Sequence, residues 1–258
     1  MVTRVRSPKS PSISIIIPTL NEEHYIKLLI ESIKRQNYTN FEILIVDGGS
    51  KDKTLEIAQK NGALVFKFPG YGEFISRNIG AKNAKGNYLL FTCADIIFPE
   101  GLLKEILEEF QKKPRLIALT GPGYPYDAPL FGKVEYIVYN IIRFFLAKLP
   151  KPLKRFSTST NFLVIRKEYF QRTGGFLVND INADGLIGKM LLRIGEIKFS
   201  WNIYVYLSAR RMKKMGFWNF NRHYLYVLEN IFFGLSNTLL LKAVKEHSKT
   251  KHRKMHEV

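Results

Sequence analysis

Cysteine is almost absent, with Cys93 alone among 258 residues. A single thiol excludes an intrachain disulfide framework and fits a reducing compartment. Acid is also scarce: 22 Asp and Glu stand against 40 Lys and Arg, and the formal charge of +18 favours an anionic partner, whether nucleotide phosphates, a nucleic acid or an acidic membrane face. Met1 to Ser12 is basic and rich in Ser and Pro but lacks the apolar core of a secretory signal, so residues 1–11 are expected to be a flexible lead-in. Two phosphate-binding signatures are missing. No Gly-Lys-Ser/Thr loop occurs, and the turn where a dinucleotide fold carries its glycines is Pro18-Thr-Leu-Asn-Glu-Glu23. Gly70-Tyr-Gly72 begins like such a fingerprint, but Ile75 occupies the position of the third glycine. Helix-turn-helix, zinc and aromatic RNA-binding signatures are absent too, and the basic charge is dispersed, which argues against a nucleic-acid partner.

What is present is a regular alternation of strand and helix signals, in a chain whose 46% hydrophobic content suffices for a large core. Ile13 to Ile17 is a β-branched run stopped by Pro18, and Asn21 is placed to cap a helix carrying Tyr25, Leu28, Leu29 and Ile33 at helical spacing. Phe41 to Val46 is a second strand ended by Asp47-Gly-Gly-Ser50, after which Ser50 or Asp52 can cap another helix. Ala63 to Phe68 and Tyr88 to Thr92 are further strands, with a helix over Glu73 to Ala84 between them. Repeated βα units imply a mostly parallel sheet with helices on both faces. The run from Tyr88 breaks at Asp95, at the carboxyl end of a strand, where ligands of open α/β sheets sit.

Four stretches together carry a family resemblance: Ile15-Ile-Ile-Pro-Thr-Leu-Asn-Glu-Glu23, Phe41 to Thr54, Ser76-Arg-Asn-Ile-Gly-Ala81 and Leu90-Phe-Thr-Cys-Ala-Asp95. In order and spacing they resemble an inverting glycosyltransferase of family 2 with the GT-A fold, over about residues 12–215. The resemblance implies that Pro18, Thr19, Glu22 and Asp47 line the pocket for the nucleotide base and ribose, that Arg77 contacts the nucleotide, and that Asp95 holds a divalent cation, Mn²⁺ or Mg²⁺. A hard cation wants oxygen ligands, and it stabilises a departing diphosphate. The family's metal motif is usually Asp-x-Asp; here Cys93 replaces the first Asp, and a thiolate is a poor ligand for such ions. Cys93 is therefore expected to be a small buried hydrophobe.

In the second half, Gly101 to Phe110 is an amphipathic helix and Leu116 to Thr120 a strand. Val134, Ile137, Val138, Ile141, Ile142, Phe145 and Leu149 then recur at helical spacing, with Arg143, Lys148, Lys151, Lys154 and Arg155 nearby. Such a stripe belongs either to a helix packed on its own domain or to an interfacial helix beside a lipid-linked acceptor. Gly174-Gly-Phe176 is the next landmark. In the resembled family an acidic motif supplying the catalytic base follows it, which implicates Asp184, with Asp180 in reserve. Asp184 would open a helix capped by Asn182, whose positive end would keep it ionised. Arg210 and Arg211 resemble a basic element that meets the donor diphosphate or an acceptor phosphate. A last apolar stripe, Tyr224 to Leu241, is interrupted by polar residues and is expected to lie on the domain, a second subunit or a membrane, followed by a basic tail from Lys242.

The expected organisation is a flexible 1–11, a GT-A catalytic domain over 12–215 with a nucleotide-sugar-binding half at 12–100 and an acceptor half at 101–215, and an amphipathic helix with basic tail over 216–258. The expected activity is metal-assisted transfer of a sugar from a nucleotide-diphosphate sugar to a hydroxyl of a glycan or lipid-linked acceptor, with inversion, at the cytoplasmic side and peripheral to the membrane, by a monomer or homodimer. The alternatives are transfer to a polyprenyl phosphate or, from another class, a basic nucleic-acid-binding protein or an inactive transferase-like binding module.

Overall fold

The computed structural model describes residues 11–179 and 183–215. They fall into two compact units, one of residues 11–124 and 136–207, the other of 125–135 and 208–215. The first unit is built on β1 (Ile13–Thr19), whose side chains are buried on both faces except at Pro18. It pairs in parallel with β2 (Phe41–Asp47) on one side and β4 (Tyr88–Thr92) on the other. Helix α1 (Glu23–Lys34) connects β1 to β2; α2 (Thr54–Lys60) leads to β3 (Leu64–Lys67), and α3 (Glu73–Asn83) returns to β4. The chain thus runs outward from β1 through β2 to β3 and reappears on the opposite side at β4. The carboxyl ends of β1 and β4 at such a reversal are the usual ligand position in a doubly wound sheet.

Beyond β4 come β5 (Ile96–Ile97), α4 (Leu102–Lys112), β6 (Leu116–Thr120), β7 (Gly123–Pro125), α5 (Leu130–Lys148), α6 (Lys151–Lys154), β8 (Phe162–Arg166), α7 (Lys167–Arg172), α8 (Ala183–Ile194), β9 (Glu196–Phe199), β10 (Val205–Leu207) and α9 (Arg210–Met215). Among the described residues the main sheet has the order β3-β2-β1-β4-β8-β6-β9, and a small sheet has the order β5-β10-β7. Strand β8 is antiparallel to both β4 and β6, while the remaining pairs of the main sheet are parallel. The result is a mostly parallel mixed sheet flanked by helices, the GT-A architecture expected above. Thr92 lies opposite Phe162, which brings Asn161 and Thr160 to the carboxyl end of β4. The core on the α3 and α8 face joins Ile16, Leu44, Phe91, Ile165, Phe176 and Leu191. Gly80 lets α3 approach β1 closely, since a Cβ there would lie 2.5 Å from Ile16.

Helix α5 departs from the first of the two sequence expectations, a stripe packed on its own domain. In its portion from Tyr136 onward, Asn140 and Arg143 are buried, whereas Ile137, Val138, Ile141, Phe145 and Leu149 are 40–58% exposed. The apolar stripe faces out. The reason is the inner polar face: Asn140 donates to Gly123 O at 2.9 Å and accepts from Gly123 N at 3.3 Å, and Arg143 donates to Gly121 O, Thr120 Oγ1 and, through two nitrogens, Ser157 O at 2.9–3.1 Å. Arg143, grouped by sequence with the surface cations, is an internal brace. Asn21 differs as well: it takes φ +54° and accepts from Lys51 N, while the cap position of α1 falls on Glu22, whose side chain does not cap the helix. The expected cap Asn182, the reserve base Asp180, the 224–241 stripe and the basic tail lie outside the described residues, as do residues 1–10. No helix of the described residues is long and apolar enough to cross a membrane.

Replacing Arg143 with Met keeps the aliphatic bulk but leaves buried carbonyls unpaired. Urea unfolding should show a loss of about 2–4 kcal/mol, and a change inside experimental error would mean that Arg143 does not hold α5 in place.

Candidate active site at the carboxyl ends of β1 and β4

Two side-chain clusters meet this sheet edge. The first joins the ends of β1 and β2, where Thr19 lies opposite Asp47. Asp47 is 1% exposed and its carboxylate accepts from Thr19 Oγ1 at 3.0 Å, from Gly49 N at 2.9 Å, from Ser50 N at 2.8 Å and from the Ser50 hydroxyl. Its oxygens therefore shape the loop after β2. That loop is stitched to the one after β1: Asn21 N donates to Ser50 Oγ, Glu22 N to Thr54 Oγ1, Glu23 N to Asp52 Oδ2 and Lys53 N to Glu23 Oε2, all within 2.7–3.1 Å. Asp52 thus serves the starts of α1 and α2 together. Burial pushes its carboxyl up, but bonds from Thr54 and from Glu23 N outweigh that and hold it below its ordinary value. Pro18 and Glu22 are partly exposed beside this pair of loops.

The second cluster surrounds Arg77, which is 0% exposed. Its guanidinium donates to Thr92 O at 3.0 Å, to Glu73 Oε1 at 2.6 Å and to Cys93 Sγ at 3.3 Å, and its Nε has no hydrogen-bond partner among the described residues. A fully buried cation must be neutralised nearby. Burial alone would lower its pKa; Glu73, Cys93 and Asp184 reverse this and raise it, so Arg77 stays charged. The thiol of Cys93 lies 3.4 Å from Asn161 Oδ1 and 4.0 Å from Glu73 Oε1. Cys93 is only partly buried and is bound into a polar cluster, not the hydrophobic pocket expected for it. Arg77 was expected to touch the nucleotide. In the structure it is completely buried and supports Glu73 and Cys93.

Asp184 reaches the same cluster from α8. Its Oδ1 accepts from Thr160 N at 3.3 Å, and its backbone carbonyl accepts from Thr158 Oγ1 at 2.8 Å. Burial pushes the carboxyl above its ordinary value, Glu73 adds to the rise, and Thr160 and the Arg77 charge only partly oppose it. The helix start was expected to keep this group ionised; desolvation works the other way. A glycine-dependent clasp puts α8 here. Asn78 on α3 accepts from Phe176 N at 2.9 Å and donates to Phe176 O at 2.8 Å, and the Phe176 ring packs on Phe74, Phe91 and Phe170. Gly175 passes with φ +81°, where a Cβ would lie 2.5 Å from Asn78 Oδ1. Asn179 then caps α3 from afar by accepting from Phe74 N at 3.0 Å.

Asp95 follows β4 in a turn and is partly exposed. Among the described residues no group of three or more His, Cys, Asp or Glu could hold a metal ion. The donor set around Asp95 therefore suits a hard cation only if further oxygens come from a ligand. Arg210 and Arg211 open α9 in the second unit, Arg210 partly buried and Arg211 exposed. There Asp127 accepts from Ala209 N at 2.6 Å, Ser208 Oγ at 3.0 Å and Lys213 Nζ at 3.0 Å, which together overcome burial and hold its carboxyl low. The roles of Glu73, Asn78, Thr160, Asn161 and Asn179 were not foreseen. Glu73 precedes Arg77 by one helical turn and so carried a local signal. The others act across large sequence separations and carried none.

The family model described as glycosyl transferase family 2 matches residues 14–174. A dolichyl N-acetyl-alpha-D-glucosaminyl phosphate 3-beta-D-2,3-diacetamido-2,3-dideoxy-beta-D-glucuronosyltransferase from Methanococcus voltae is 30% identical over 141 residues, 50% of this chain and 44% of that protein. The chain spans about half the length of the curated relatives it matches. Among solved structures, the Pyrobaculum calidifontis mannosyltransferase PcManGT in complex with GDP-Man and Mn²⁺ superposes with a TM-score of 0.65 at 20% identity, over 86% of this chain and 63% of that one. S. aureus TarS in complex with UDP-GlcNAc gives 0.62 at 21% identity, over 91% and 69%. At such identity the likeness is one of fold.

The elevated Asp184 carboxyl has a consequence for stability. The native state holds that proton more tightly than the unfolded chain, so its stabilisation is complete below the ordinary Asp value and is lost as pH rises through the folded value. Asp184→Asn should accordingly melt at a higher temperature than the parent at neutral pH, with the gap closing below about pH 4. An Asp184→Asn protein that is less stable at neutral pH would contradict the direction of the shift.

Proposed function

The chain belongs to glycosyl transferase family 2, and on that premise we propose that it transfers a sugar from a nucleotide-diphosphate sugar to an acceptor hydroxyl with inversion at the anomeric carbon. The observation that carries this reading is the convergence of Asp184 with the Arg77, Glu73 and Cys93 cluster at the sheet's reversal point. In the proposal Pro18, Thr19 and Glu22 line the base and ribose, with Asp47 acting through Thr19 and the loop it organises, so residues 12–100 bind the donor and 101–215 the acceptor. Such donors accompany related folds, GDP-Man in PcManGT and UDP-GlcNAc in TarS.

The acceptor oxygen attacks the anomeric carbon from the face opposite the nucleotide, its proton passes to Asp184, and the bond to the diphosphate oxygen breaks as the nucleoside diphosphate leaves. A carboxylate with a raised pKa is a stronger base than an exposed one, which suits this transfer. Arg77 stays charged beneath the site and limits the field of Glu73 and Asp184 on the departing anion. Asp95 would hold a divalent cation together with diphosphate oxygens, and that cation supplies charge neutralisation to the leaving group. Arg210 and Arg211 are assigned to a phosphate of donor or acceptor. We place the enzyme at the cytoplasmic face of a membrane, on a glycan or lipid-linked acceptor; the Methanococcus relative is named for a dolichyl-linked one.

Transfer by Asp184→Asn should fall about 10²–10⁴-fold with donor affinity retained, because the amide keeps the bond from Thr160 but cannot take a proton. Full activity in that variant would remove the base and favour a phosphate acceptor, which is already an anion. Mn²⁺ should raise the melting temperature only when a nucleoside diphosphate is present, and Asp95→Asn should abolish that joint shift. Strong Mn²⁺ binding by the free protein would refute the shared ligand set.

A further inference from the structure

Helix α5 is set inside out, and the setting is fixed. Between Tyr136 and Leu149 the inner face is held by the bonds of Asn140 and Arg143 to Gly121, Gly123, Thr120 and Ser157, so the stripe of Ile137, Val138, Ile141, Phe145 and Leu149 cannot turn inward without breaking them. These five positions recur every three or four residues and form one continuous strip along the helix. Its chemistry is one-sided. No Asp or Glu occurs between Glu135 and Glu168, while Lys148, Lys151 and Lys154 cluster at the carboxyl end of the strip. Lys148 is exposed, and its Nζ lies 4.1 Å over the Phe144 ring. An aliphatic and aromatic strip whose own stretch of chain carries cations and no carboxylate complements hydrocarbon beneath anionic headgroups, whereas a protein surface of similar size would be met with polar groups that fix orientation.

We propose that the outward face of α5 from Ile137 to Leu149 seats on an anionic lipid bilayer and so presents the active site to a lipid-linked acceptor at the membrane surface. The proposal rests on the transferase reading for the site but uses none of its residues. The site lies just behind the docked face. Tyr139, on the inner side of the same helix, lies within the electrostatic reach of both Arg143 and Asp184. Ser157, whose carbonyl Arg143 holds, adjoins Thr158, whose hydroxyl donates to Asp184 O. The inner side of the proposed docking helix thus faces the surroundings of the proposed base.

The test is flotation of the full chain with vesicles of phosphatidylcholine containing phosphatidylglycerol, beside vesicles of phosphatidylcholine alone. The protein should rise with the anionic vesicles, and Ile141→Glu combined with Phe145→Glu should weaken that binding at least about tenfold. Phe145→Trp gives an independent reading: brominated lipids in the same vesicles should quench it beyond the quenching of the parent. Absence of flotation at low salt, or flotation of the double variant equal to the parent, would overturn the proposal. So would sedimentation showing a dimer that the double variant splits, which would assign the face to a second copy. The donor reading is checked separately by the thermal shift with a nucleoside diphosphate and Mn²⁺, which the double variant should retain. Lost flotation with that shift intact removes the docking face alone, and a parent without the shift removes the donor reading alone.

Discussion

A guanidinium with no solvent exposure has to find its counter-charges inside the protein, and around Arg77 that requirement organises the carboxyl end of β4. Glu73 is the nearest anion, one helical turn earlier and only partly exposed, with 28% of its side chain accessible. Cys93 and the carbonyl of Thr92 take the other donors. Burying such a pair is costly, and breaking it by removing one partner commonly costs about 3–5 kcal/mol. The arrangement is thus stiff, and it fixes a positive centre beneath the carboxyl end of β4. Where the resembled motif has a carboxylate, this chain has a thiol that receives a bond from the same guanidinium.

Asp184 comes under this field through packing, not through sequence proximity. Phe176 is sunk among Phe74, Phe91 and Phe170, and the two bonds between Asn78 and its backbone fix the direction of the chain leaving Gly175. Only glycine passes there, because the backbone is left-handed and Asn78 occupies the space of a Cβ. The carboxyl that arrives is destabilised in its charged form by burial. This is a local conflict between stability and chemistry of the kind that functional sites retain.

Helix α5 shows the same economy at larger scale. An apolar stripe normally turns inward, since burying a large aliphatic side chain is worth about 1.5–3 kcal/mol. Here the chain turns Asn140 and Arg143 inward and satisfies their polar atoms with carbonyls and a hydroxyl of β6 and its neighbours. The outward stripe is what remains after those bonds are made, and it gives the face that we assign to lipid.

The alternation of β-branched runs with amphipathic stretches was enough to determine the βα repeat, the mostly parallel sheet and the positions of Thr19, Asp47, Cys93 and Asp95 at strand ends, because those features depend on side-chain periodicity within a few residues. The family resemblance marked Gly174-Gly-Phe176 as a landmark, and the spacing of Glu73 and Arg77 by one helical turn was present in the sequence without having been used. The antiparallel insertion of β8, the three short strands of the small sheet, the burial of Arg77 and the inside-out setting of α5 were not legible, because each depends on partners far along the chain. Asn179 meets the start of α3 at a separation of 105 residues, and Asn161 meets Cys93 at 68. A polar side chain looks the same in sequence whether it will face water or a buried carbonyl. Only the tertiary structure supplies the carbonyl, and with it decided that Arg143 is a brace and Arg77 a buried centre of charge.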